Sequence, residues 1–231
     1  MPTSGVISGL MTAQDMIVAA MEDLGVLNAG EMPEAEEATT ARVRLNWLLK
    51  SLQTRGCNLW RDTDGSVVFG AGVATVTLAP RVIDVIDARV LLTGGTERWL
   101  TRWESAEHRR IPNKAAQGSP CAFVLDRVRD AATLTLWPVP QASTTVNYAY
   151  ARVIEDVVGL TETVDVPQEW TEAVWRLLAR ALIPTFGIED LSPATAARVT
   201  AEAEIMERRV LDHDRPASVF VGPVRRRNVR R

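Results

Sequence analysis

The chain has 231 residues, 46% hydrophobic and 24% charged, a balance ordinary for a soluble globular protein with a sizeable core. Its formal net charge is −3, and without the five arginines of the last seven residues the remainder carries −8, which excludes adhesion to polyanions through the overall field and leaves only local contacts. No run of about 18 apolar residues occurs, so no transmembrane helix is expected, and the opening MPTSGVISGLMTAQD lacks the basic start and apolar stretch of a secretion signal.

In chain order, TAQDMIVAAMEDLG predicts a first helix. Thr12 caps it with Asp15 three residues on, and Ala13, Met16, Ile17, Ala20 and Leu24 form one apolar stripe. PEAEEATTARVRLNWLLKSLQTRG predicts a longer second helix, with Pro33 at its start and Gly56 at its end. Its seam reads Ala38, Ala41, Leu45, Leu48 and Leu52.

The period then shortens. VVFGAGVATVTL, DARVLL, ERWLTRW, CAFVLD, ATLTLWPVP and TTVNYAYARV are β-rich and separated by turn residues. Val146, Tyr148 and Tyr150 alternate with Asn147, Ala149 and Ala151, so one face is expected to be buried. ESAEHRR reads as a turn or two of helix, and IPNKAAQGSP as an exposed loop.

Helices return with DVPQEWTEAVWRLLARALIPTFG, where Asp165 and Gln168 have capping-box spacing. Trp170, Ala173, Val174, Leu177, Leu178 and Ala181 give it a broad apolar face, and Pro184 is expected to end or kink it. A last helix opens at Ser192-Pro193, with a seam of Val199, Ala203, Met206 and Val210. Beyond Asp214, Pro216, Gly222 and Pro223 preclude a regular helix, and an extended arm is expected.

The expected fold is therefore α+β. Residues 1–65 and 154–214 pair two N-terminal with two C-terminal helices in a four-helix bundle. Residues 66–153 form an inserted antiparallel β module, and residues 215–231 an extended basic arm.

Catalytic signatures are absent: no phosphate loop follows the glycines at 70–72 or 94–95, and no GxSxG occurs. Cys57 and Cys121 form no CxxC pair, and His108 and His213 have no metal-ligand spacing, so no metal or cofactor is expected. Glu104 and Glu107 sit one helical turn apart, a spacing that could in principle supply an acid and a base for glycoside cleavage but that is common by chance. Trp99 and Trp103 flank Arg102, which suits base stacking, but core and interface packing is the favoured role of the seven tryptophans.

Three segments in this order carry a resemblance: TAQDMIVAAMEDLGVLNAGEMPEAEEATTARVRLNWLLKSLQTRG, ATLTLWPVPQASTTVNYAYAR and VPQEWTEAVWRLLARALIPTFG. Together they resemble the head-to-tail adaptor proteins of tailed bacteriophages, particularly the short-tailed type that stabilises packaged DNA, over roughly Thr12 to Val210. The resemblance implies a structural, non-enzymatic protein of the virion, assembled in the bacterial cytoplasm and placed at the head-tail junction. It implies a ring, commonly of twelve copies, beneath the portal protein, extending the channel for double-stranded DNA and offering a docking site for tail nozzle, hub or fibre proteins. It also implies that C-terminal arms grip the portal. In this chain the matching arm would use Val219, Phe220 and Val221 as an apolar anchor and Arg225, Arg226, Arg227, Arg230 and Arg231 against acidic surface. Two alternatives stay open: a DNA-binding protein using the arginine tail, and a peptidoglycan-cleaving enzyme using Glu104 and Glu107.

Overall fold

A computed structural model of the protein describes residues 9–54, 62–78, 82–129 and 131–213. Two cores organise these residues, one between helices and one between sheets.

Helix α1 (Ala13–Asp23) starts at a reciprocal capping box. The Thr12 hydroxyl accepts from the Asp15 N–H, and the Asp15 carboxylate accepts from the Thr12 N–H. Helix α2 (Ala35–Thr54) buries Ala38, Ala41, Leu45, Leu49 and Leu52. Leu49 takes the place expected of Leu48, because three 3.6-residue steps drift past a strict three-and-four spacing. Helix α4 (Gln168–Phe186) is the hub, burying nine side chains from Trp170 to Ile183 and touching α1, α2 and α6 (Pro193–His213). Pro184 lies within α4 without ending it. Gly187 ends α4 with φ +63°, a left-handed backbone that glycine adopts without steric cost. A short helix α5 (Ile188–Leu191), absent from the sequence reading, follows at once.

Strands β1 (Asp62–Phe69), β3 (Val82–Leu91), β4 (Glu97–Trp99) and β10 (Thr144–Arg152) make one sheet in the order β1-β10-β3-β4. Strands β2 (Thr75–Leu78), β5 (Thr101–Trp103), β7 (Ala122–Val128) and β8 (Ala131–Trp137) make a second in the order β2-β8-β7-β5. The chain changes sheets at buried Leu100, between β4 and β5. A two-stranded pair, β6 (Gln117–Gly118) with β9 (Val139–Pro140), lies beside them. Phe69, Phe123, Leu134, Leu136, Val146 and Tyr148 pack between the two large sheets. Helix α3 (Ser105–Arg109) packs on β7.

The expected four-helix bundle with an inserted antiparallel module is thus corrected. The described residues hold six helices and ten strands, two sheets have four strands each, and β5–β7 and β6–β9 are parallel pairs. The physical reason lies in burial. The broad face of α4 satisfies the narrow seams of α1, α2 and α6, so the helices gather around one hub instead of pairing two and two. The strands bury their own hydrocarbon in a sandwich that needs no helix to cover its core. Strand-to-strand pairing across many residues leaves no local period, which is why neither the sandwich nor its parallel pairs were expected.

The alternation read for β10 holds: Val146, Tyr148 and Tyr150 are buried. Tyr148 lies over Gly65 of β1, where an added Cβ would stand 2.8 Å from the ring's Cζ. Gly65→Ala is expected to lower the unfolding free energy by about 1–3 kcal/mol, measured by urea denaturation, since the buried ring must move aside.

Candidate interaction surfaces

The segment after β10 is the waist that joins the sheet half to the helical half. At the end of β10, the Arg152 guanidinium grips the Asp165 carboxylate with both terminal nitrogens, Nη2 at 2.7 Å from Oδ1, and the same carboxylate accepts the Glu155 N–H at 3.0 Å. Burial pushes the Asp165 carboxyl up. The Arg152 hydrogen bond, the Glu155 N–H and the charges of Arg152 and Lys50 outweigh it and hold the group below its usual value. Asp165 therefore serves the waist, and α4 starts from Pro167 without a side-chain cap.

The segment after Arg152 is strapped to α2. Asn46 donates to the Val157 carbonyl and accepts the Val157 N–H, each at 2.9 Å. Arg42 also donates to that carbonyl, and Lys50 donates to the Ile154 carbonyl and pairs with Asp156 at 2.9 Å. These bonds draw Arg42 and Lys50 to the flank of α2. Between Glu36 and Thr54 the exposed side chains of α2 are uncharged, Thr39, Thr40, Val43, Trp47 and Ser51, with half-buried Arg44 beside them. Trp47 is 61% exposed, the Arg44 guanidinium lies 5.1 Å from its ring centroid, and Val158 of the strap is exposed. A depression of about 310 Å³ runs between Val43, Asn46, Trp47, Lys50 and Asp156. On α6, Ala197, Ala201 and Ile205 face solvent at helical spacing, on the side away from buried Val199, Ala203 and Val210.

Sequence reading placed the tryptophans in packing roles, and they divide. Trp170 is buried in α4, and Trp103 stacks on Trp137 with centroids 5.2 Å apart. Trp47 and Trp99 stand on the surface. The signal for Trp47 was present: with Val43 it lies four residues apart, opposite the buried seam of its own helix. Arg102 is committed to the sandwich, donating to the Val85 carbonyl and to Asp84 at 2.8 Å each. Burial raises the Asp84 carboxyl, and the bonds and charges of Arg102 and Arg127 hold it below its usual value.

Glu104 and Glu107 have a structural role in this arrangement. They form the capping box of α3, the Glu107 carboxylate accepting the Glu104 N–H at 2.9 Å. Cys121 is an exposed free thiol. Cys57, His213 and the arm residues Val219, Phe220, Val221, Arg225, Arg226, Arg227, Arg230 and Arg231 lie outside the described residues or have side chains that do. Among the described residues no helix is long and apolar enough to cross a membrane.

No protein-family model and no curated protein matches the chain. Among solved structures, it is similar to a chain from the neck of an empty GTA particle computed with C6 symmetry, at 14% identity over 93% of this chain and 97% of that one, with a TM-score of 0.29.

Proposed function

We propose that the chain is a structural ring subunit of the head-to-tail junction of a tailed bacteriophage or phage-like particle, without catalytic activity. The observation that carries this reading is the outward face of α2. A 20-residue helix that presents threonines, Val43, Trp47 and Ser51, with Arg42 and Lys50 drawn to the flank and Arg44 lying over the Trp47 ring, suits a surface covered by protein. The alanine-lined face of α6 is a different surface and a shallow one. Two unlike faces suit the head-to-tail contact of a closed ring, in which each subunit gives one face and receives the other. The order of sequence segments that resembles the phage adaptors supports the same reading.

In this proposal Trp47 seats against the Ala197–Ala201–Ile205 face of the next copy. The acidic body lets DNA pass without adhering. The basic arm, with Val219, Phe220 and Val221 as anchor and the five arginines as charge, docks on the portal. Trp47→Glu is expected to reduce ring formation more than tenfold, seen by mass photometry, with an unchanged circular dichroism spectrum. Rings that form equally well in the Trp47→Glu variant would sink the α2 assignment. Removing residues 219–231 is expected to abolish binding to the cognate portal at physiological salt while leaving the fold intact, and unchanged binding would refute the arm's role.

A further inference from the structure

One outer side of the sandwich carries an acidic row, and the other carries a basic corner next to Glu104, Glu107 and Asp126. On the first sheet, cross-strand pairing sets Ser66, Asn147, Arg89 and Trp99 in one row on the side away from the core. Three carboxylates surround the single guanidinium of that row: Arg89 lies 3.3 Å from Asp87, 3.1 Å from Glu97 and 3.7 Å from Asp64. Trp99 is 65% exposed beside it, with the Arg89 guanidinium 5.5 Å from the ring centroid. A depression of about 350 Å³ opens between Asp64, Glu97 and Asn147. No helix among the described residues covers this face.

On the second sheet, Phe123 points to the core and Asp126 lies on the opposite side, where it accepts a hydrogen bond from Ser105 of α3. α3 therefore sits on the outer side of the sandwich, opposite the acidic row. Its C-terminal end and the loop after it present Arg109, Arg110 and Lys114. All three are exposed, and none makes an ion pair among the described residues. Guanidinium groups without a carboxylate partner there, in a chain whose body is acidic, concentrate an attractive field at one corner.

We propose that the sandwich forms a second contact between neighbouring copies, in which the Arg109–Arg110–Lys114 corner of one copy docks on the Asp64–Glu97–Trp99 face of the next. The inference rests on the ring reading above and adds the β half to it. The occupant is a second copy because the two patches have opposite charge, lie on opposite sides of one body, and so can repeat around a ring without using each other up. Trp99 supplies the desolvated centre, and its π face accepts a guanidinium as readily as hydrocarbon. Arg89 holds the carboxylates in place while leaving them in excess.

The test compares ring formation by mass photometry, at about physiological salt, for the full-length chain and three variants: Arg109→Glu with Arg110→Glu, Asp64→Lys with Glu97→Lys, and all four changes together. Each reversal pair is expected to raise the concentration needed for rings about tenfold or more, and the fourfold variant is expected to return it to within about threefold of the parent. Since Glu97 also accepts a hydrogen bond from Asn147, Asp64→Lys alone serves as the second reversal if the pair unfolds, with circular dichroism as the check. Rings unaffected by Arg109→Glu with Arg110→Glu would overturn this contact and leave the ring reading standing. Failure of the combined variant to recover would also overturn it, by giving the basic corner another partner. So would loss of rings on removing residues 214–231 with the Arg109 and Arg110 reversals silent, which would seat the arm on the acidic face. A full-length chain that never forms rings, with or without portal, would overturn both readings.

Discussion

Replacing Leu178 with alanine is expected to cost the helical half about 3–5 kcal/mol and to leave the sandwich folded. Leu178 is fully buried in the middle of α4, amid the core that α1, α2 and α6 share. Removing three carbons at a hub opens a cavity that four helices cannot all close, because each is also held by its own neighbours. The sheet core is a separate set of side chains, so the loss should not spread to it. Hydrogen exchange reads the difference directly. Amides of α2, α4 and α6 should exchange faster in the variant, while those of β3, β8 and β10 keep their protection. Equal acceleration in both halves would show that the two cores unfold as one.

The second large effect is expected at the waist. Asp165→Ala removes a carboxylate that receives both terminal nitrogens of Arg152 and the Glu155 N–H. A hydrogen-bonded charged contact of this kind contributes about 2–3 kcal/mol, and the guanidinium left behind is partly buried. The same contact makes stability depend on pH. The folded Asp165 carboxyl lies below its usual value, so its contribution is fully present above the unfolded value of about 3.9 and is lost as pH falls through the folded one. Asp84 has the same sign. Asp23 has the opposite one: burial is the larger influence and raises it despite Arg176 and Arg198, so its ionisation weakens the fold as pH rises through that range. With Asp84, Asp165 and the exposed Glu31 and Glu162 lowered and Asp23 raised, the parent chain should lose stability in acid below about pH 4. Asp165→Asn should show a shallower decline in urea titrations across that range, and an unchanged slope would contradict the assignment.

Local features were legible in the sequence because their causes are local. Thr12 and Asp15 form the box that their spacing announces, and Pro193 opens the last helix. The alternation in β10 needs only its own residues. The bundle was misread because amphipathic seams say that a helix has a partner without saying which. Ala41, Leu45 and Val199, Ala203 fit any apolar neighbour, and only the breadth of α4 makes it the common one. The sheet change at Leu100 was hidden for a related reason: ERWLTRW reads as one strand, and a buried leucine between two short strands breaks no alternation rule. Of the interaction surfaces, Trp47 could be found by its position opposite a seam. The acidic row could not, since Asp64, Arg89 and Glu97 become neighbours only through strand pairing. Asp165 was misassigned because its capping-box spacing competes with a partner 13 residues back in the chain, and a bidentate guanidinium outweighs a single backbone N–H.

In the reading proposed above, this chain works as a repeated part closed around an axis. Electron microscopy of the purified chain, alone and mixed with its cognate portal, tests it most directly. Annular particles are expected in at least the mixed sample, with α2 and the sandwich at the contacts between subunits. Single copies of 25.4 kDa in both samples would contradict it.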